Sequence, residues 1–195
     1  LEALGYLQRH LHPPAFGTVM NAIGTPDEAL RTAHDAVGAW PEQVAGLRER
    51  LDLACRETLA AFAGLRDVER GHGDLVAVFR TLRHVPRAQE ALYPLALQFP
   101  PVSNFFLNAA RRGDDSLLAR LDVGAGNDTG IFHDNNEPGS RGGFSVYVPE
   151  YYSPDRAMPL VMALHGGSGN GHGFLWSWLR DARSEGGILV APTAT

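Results

Sequence analysis

The sequence predicts an α/β chain in two parts: an all-helical segment over residues 1–122 and a strand-bearing segment over 130–195. Three observations carry this. Through the first two-thirds, apolar residues recur at three- and four-residue steps, the period of an amphipathic helix. From Val123 the composition turns to Gly, Asn and Asp in Gly124-Ala125-Gly126-Asn127-Asp128, which reads as a linker over 123–129. Beyond it come one alternating run and two short continuous apolar runs, the latter separated by a helical stretch, as in a βαβ unit.

The helical elements follow in order. The chain opens at Leu1 in what already reads as helix. Thr25-Pro26-Asp27-Glu28 offers an N-cap hydroxyl, a proline at the first helical position and a glutamate at the capping-box position, so a helix runs from there to about Val37. Pro41 begins a longer one, with Val44, Leu47, Leu51, Cys55, Leu59 and Phe62 stacked on one face and Arg48, Glu49, Arg50, Asp52, Arg56 and Glu57 mostly on the other. Cys55 on the apolar face reads as a small hydrophobe, because a reactive thiol needs an accessible, electropositive setting. Asp74 caps a helix carrying Leu75, Val78, Phe79 and Leu82, which Pro86 interrupts, and short helical pieces follow at 88–97, 103–110 and 116–121. No repeat of 20–50 residues marks a solenoid. Arg111-Arg112 is too short for a basic patch, and His10, His12, His34, His72 and His84 lack metal-ligand spacing. The segment reads as structural.

Composition narrows the chemistry. All 17 basic residues are arginine, so neither a P-loop lysine nor a Schiff-base amine is present. The single cysteine excludes an internal disulfide and a cysteine-rich zinc site. A net charge of −5 weighs against a nucleic-acid partner. No apolar run reaches the ~18–20 residues that cross a bilayer, and no signal peptide opens the chain, so a cytoplasmic protein without a stable membrane anchor is expected. The start at Leu1 and the stop at Thr195, just after a strand, are expected of a piece of a longer protein.

In the last third, Ile131-Phe132-His133 is a short strand, followed by the turn Asn135-Asn136-Glu137-Pro138-Gly139. Phe144-Ser145-Val146-Tyr147-Val148 alternates as a half-buried antiparallel strand does. Leu160-Val161-Met162-Ala163-Leu164, after Pro159, is apolar throughout and reads as a strand buried on both faces. A helix over 175–183 turns Leu175, Trp178 and Leu179 inward, and Ile188-Leu189-Val190-Ala191 is a second buried strand. Between the first buried strand and the helix lies His165-Gly166-Gly167-Ser168-Gly169-Asn170-Gly171-His172-Gly173. Loops at the carboxyl ends of parallel strands are where such sheets place ligands. Glycines there let the backbone turn sharply and present N–H donors to a developing oxyanion, although a tight strand-to-helix turn needs them equally.

The run Phe144-Ser145-Val146-Tyr147-Val148-Pro149, then Pro159, then Leu160-Val161-Met162-Ala163-Leu164-His165-Gly166-Gly167 resembles the opening of the α/β-hydrolase fold. It is most similar to the phospholipase/carboxylesterase-like serine esterases and their polymer-esterase and feruloyl-esterase relatives. The likeness covers residues 130–195, a third of the chain. It implies the first four strands of that sheet with its helix A, a carboxylic ester as small-molecule substrate, and no metal or other cofactor. It further implies that the Gly167 N–H is an oxyanion-hole donor, with Gly166 and Ser168 shaping the loop. His165 would be a loop-shaping residue and not the catalytic base, and His172 would belong to the substrate-side stretch leading into helix A. A prolyl-oligopeptidase-type peptidase shares the domain. A helical oligomerisation or docking module beside a degenerate domain is the non-catalytic rival.

The family's nucleophile lies in Gly-x-Ser-x-Gly after the fifth strand, followed by an acid and a histidine. Gly166-Gly167-Ser168-Gly169-Asn170 breaks that pattern at Asn170 and lies after the third strand, so Ser168 is a poor nucleophile and the 195 residues alone are expected to be inactive. Asp128-Thr129-Gly130 lacks the apolar strand of an aspartic protease, and Thr129 and Phe174 stand where two dinucleotide fingerprints need glycine. His133-Asp134-Asn135-Asn136 could hold a cation, but a polar hairpin turn accounts for it with less. With 188–191 as an unpaired edge, the isolated chain is expected to aggregate or form a homo-oligomer.

Overall fold

The computed structural model describes residues 1–71, 73–122, 126–135, 142–166 and 169–193. The fold is mixed α/β, and the chain divides into two compact units, Leu1–Leu92 and Tyr93–Thr195. The predicted composition change lies some thirty residues later, at 123. Contacts put the last short helices in the same unit as the strands, so the linker-like stretch falls within a unit.

The first unit is helical: α1 Glu2–His10, α2 Phe16–Ile23, α3 Pro26–Val37, α4 Ala45–Glu69, α5 Leu75–Leu82 and α6 His84–Leu92. Its core joins Leu4 and Leu7 of α1, Val19 and Met20 of α2, Ala61, Phe62 and Leu65 of α4, and Val78, Leu82 and Val85 from the last two helices. Asp74 caps α5 as expected, accepting from the Ala77 N–H at 3.0 Å. Thr25 occupies the N-cap of α3, but its side chain makes no cap hydrogen bond; a backbone bond from Glu28 N–H to the Thr25 carbonyl closes the turn instead. Pro41 leads into a 3-10 turn at Glu42–Val44, so the long helix starts at Ala45. The helix that Asp74 caps stops at Leu82, four residues before Pro86, whose missing N–H leaves the Leu82 carbonyl without its helical partner. Pro86 itself sits in the first turn of α6, where a missing N–H costs α6 nothing. Cys55 is half-buried, and burial pushes its thiol up, away from reactivity.

His34 Nε2 meets Asp52 Oδ1 at 2.8 Å and His84 Nδ1 meets Glu57 Oε2 at 2.6 Å. Both histidines tie helices together across chain separations that spacing does not reveal. Asp27, buried at the start of α3, is bound by Arg66 of α4. His72 lies outside the described residues.

The second unit holds α7 Pro100–Phe105, α8 Asp115–Leu121, β1 Gly130–Asp134, β2 Phe144–Val148, β3 Leu160–Met162, α9 Gly171–Glu185 and β4 Ile188–Pro192, with 3-10 segments at Tyr93–Leu97 and Ala109–Arg111. The predicted strands all form. The sheet order is β1-β2-β4-β3; β2 runs antiparallel to both neighbours, while β3 and β4 are parallel. Asn135, just past β1, adopts the left-handed backbone expected of the turn, with φ 46°. Of the predicted linker and turn, 123–125 and 136–139 lie outside the described residues.

Three expectations are corrected here. The run 160–164 is not buried on both faces: Leu160 is 64% and Leu164 69% exposed, with Val161 and Met162 also exposed. The reason is strand order. β4 inserts between β2 and β3, so β3 becomes an edge and β4, the expected edge, lies inside. On α9, Trp176 is buried and Trp178 is exposed, because the buried stripe runs through Leu175, Trp176, Leu179, Ala182 and Arg183. α9 packs on β2 and β4, and the most buried residues of β2 are Ser145 and Tyr147. No helix among the described residues is long and apolar enough to cross a membrane.

Candidate functional site

The glycine-rich segment joins the carboxyl end of β3 to the amino end of α9. One end is fastened to β4 and the other to the residue that follows it. The Ala163 N–H donates to the Val190 carbonyl at 2.8 Å, extending the parallel ladder past Met162. At the other end the Gly171 N–H donates to Thr193 Oγ1 at 2.8 Å. A Cβ at Gly171 would run into the Ala191 carbonyl oxygen, so only glycine allows α9 to start this close to the strand. Asn170 caps the helix, its Oδ1 accepting from the Gly173 N–H at 2.8 Å.

Between these anchors the Gly169 N–H donates to the Gly166 carbonyl at 2.9 Å and closes a turn. His165 Nδ1 donates to the same Gly166 carbonyl at 2.7 Å. Gly167 and Ser168, at the tip, lie outside the described residues. Gly166 and His165 lie in this turn, and the Gly167 donor stays an expectation.

His172 lies in the first turn of α9, half-buried, and its ring stacks on that of His133 at 4.0 Å between centroids and 21° between planes. One row across the sheet explains the meeting. His133 pairs with Ser145, Ser145 pairs with Ala191, and Ala191 abuts Gly171. His133 Nδ1 shares a hydrogen bond with Ser145 Oγ at 2.7 Å. This serine–histidine contact is not a nucleophile and base, because Ser145 is fully buried in an interior strand and cannot meet a substrate. Its role is to hold the ring. The sequence gives no sign of Ser145 or Thr193 and shows His133 only in a turn that could hold a cation, because strand register alone brings them to the loop.

Beneath the sheet a buried charge network fixes the far end of α9. Arg183 Nε donates to Glu150 Oε1 at 2.9 Å, and its other nitrogens donate to the Ser103 carbonyl and hydroxyl at 2.9 and 3.0 Å. The Tyr93 and Tyr147 hydroxyls donate to the same carboxylate at 2.9 and 2.7 Å. Burial, then the neighbouring Glu150 charge, pushes both phenols well above their ordinary range. Burial works against the Arg183 charge, but the Glu150 carboxylate more than offsets it. The helix carrying His172 is thus pinned at both ends. No family model, curated protein or solved structure matches the chain.

Proposed function

We propose that the second unit is part of a serine hydrolase acting on carboxylic ester bonds, with the β3–α9 loop as one wall of its oxyanion hole. The observation that carries the reading is the parallel pair β3–β4 with α9 between them and a glycine loop at the carboxyl end of β3. The loop's ends are fastened at Ala163 and Gly171, and a preorganised N–H is worth most when it needs no rearrangement as charge develops. In this reading the Gly167 N–H donates to the oxyanion while a serine contributed from beyond these 195 residues attacks the ester carbonyl. The proton passes to a histidine that likewise lies elsewhere in the natural polypeptide.

The test is Gly167→Pro in that polypeptide, which deletes the N–H. Against a chromogenic short-chain ester, kcat is expected to fall by roughly 10²–10³ with KM little changed, the usual effect of losing one oxyanion donor. An unchanged kcat in a folded variant contradicts the assignment. A docking role for the first unit is the second reading, favoured by Leu75, Val76 and Phe79 exposed together on α5.

A further inference from the structure

We propose that the exposed face of α5 is a docking site for an acidic amphipathic helix of a partner protein. The proposal rests on the docking reading of the first unit and is independent of the ester-hydrolase reading. Leu75, Val76, Phe79, Arg80 and Arg83 are all exposed. At about 100° per residue they fall within about 140° of arc on one side of the helix, because Arg83, the C-cap, keeps helical backbone angles. The opposite side carries Val78 and Leu82 into the core of the unit. Every exposed position of α5 and its C-cap is thus apolar or arginine. The helix is held firmly: Asp74 caps it, and Thr81 lies so close to α4 that a Cβ on Gly64 would meet its hydroxyl.

Two observations name the partner. Val76 is 60% and Phe79 56% exposed, with Leu75 beside them. A two-turn apolar strip of this kind takes a helix that offers its own apolar residues at three- and four-residue steps. Charge fixes the rest. Arg31, Arg48, Arg56 and Arg70 of the same unit each pair with a carboxylate. The guanidinium groups of Arg80 and Arg83, and of the exposed Arg87 in the first turn of α6, pair with no carboxylate among the described residues. Asp74, the only acid from residue 74 to residue 89, is engaged at the cap. In a chain of net charge −5 this is an uncompensated positive patch, and carboxylates of a partner satisfy it. Arginines around an aromatic anchor are also the residues that carry protein interfaces. An anionic lipid surface fits less well, since the chain as a whole is repelled by it and two helical turns bury little apolar area in it.

The test pans phage-displayed random peptides of about 16 residues, four helical turns, on the 195-residue chain. The enriched peptide is then synthesised with a fluorophore and titrated by anisotropy. Expected is a consensus of Leu or Phe at three- and four-residue steps flanked by Asp and Glu, with binding that weakens as salt rises. Phe79→Ser, and Arg80→Glu with Arg83→Glu, are each expected to weaken it at least about tenfold at an unchanged melting temperature. The same peptide with Lys in place of its acids is expected to bind the charge-reversed variant and not the unaltered chain. Where Phe79→Ser does not fold, Val76→Ser decides. Enriched peptides that lack acids but still need Phe79 keep the docking role and overturn the acidic partner. Peptides indifferent to Phe79, or no enrichment, overturn both. Binding to phosphatidylserine vesicles, or self-association, that Phe79→Ser abolishes gives the face to a membrane or to a second copy and overturns the proposal.

Discussion

Gly171 shows how narrow the tolerance of this fold is at a single position. Its missing Cβ is what lets α9 begin against the Ala191 carbonyl. Gly171→Ala must push helix and strand apart, and is expected to cost about 1–3 kcal/mol, read as a lowered melting temperature. The Glu150–Arg183 pair is the opposite case, a residue contact that cannot lose one half. Arg183→Met strands a carboxylate with two phenols in a dry site, at an expected cost of about 3–5 kcal/mol by urea unfolding. A loss under about 1 kcal/mol would mean the charge is solvated after all.

Asp27 gives a pH signature. Burial works to raise its pKa, but the Arg66 hydrogen bond and the charges of Arg66 and Arg31 outweigh it and hold the carboxyl below its ordinary value. A lowered native pKa contributes stability that is fully present above the unfolded value, about 3.9, and is lost as pH falls through the native one. Asp27→Asn is therefore expected to be less stable than the unaltered chain at pH 6, with the gap closing toward pH 3. A gap independent of pH contradicts the pairing.

At the scale of elements, β3 decides most. Its residues are apolar at every position and exposed, with one side of the backbone unpaired by the sheet. Edges of this kind template pairing with other chains. The unaltered chain is expected to self-associate in sedimentation velocity, and Leu160→Lys with Met162→Lys to restore a monomer of equal melting temperature. A unaltered chain that stays monomeric at high concentration contradicts this. The sequence made the strand legible and its surroundings illegible. Local pattern reports that a run is apolar and short; whether it is interior or edge depends on which strand inserts beside it, and β4 enters from 26 residues downstream of Met162. The same limit explains why Trp176 and not Trp178 is buried, since that depends on which face of α9 meets β2 and β4. Where the signal is local the reading holds: Asp74 caps its helix, Pro26 starts one at the predicted residue, and the βαβ unit forms with parallel strands.

Across the whole molecule, each unit carries its own logic. The helical one is closed by apolar stripes and by His34–Asp52, His84–Glu57 and Arg66–Asp27. The other is closed by α9 on the sheet and by the Glu150 network. The glycine loop was legible in sequence because its residues are contiguous. The His133–His172 pair was not, since two antiparallel registers and a helix start must be known before the residues meet. The functional account stands on the loop, and active-serine labelling tests it most directly. A fluorophosphonate probe is applied to the natural polypeptide and to the 195-residue chain, and the labelled serine is mapped by peptide mass spectrometry. The account requires one labelled serine in a Gly-x-Ser-x-Gly outside residues 1–195, and no labelling of the shorter chain. A natural polypeptide that takes up no probe, or a label mapped to Ser168, would contradict it.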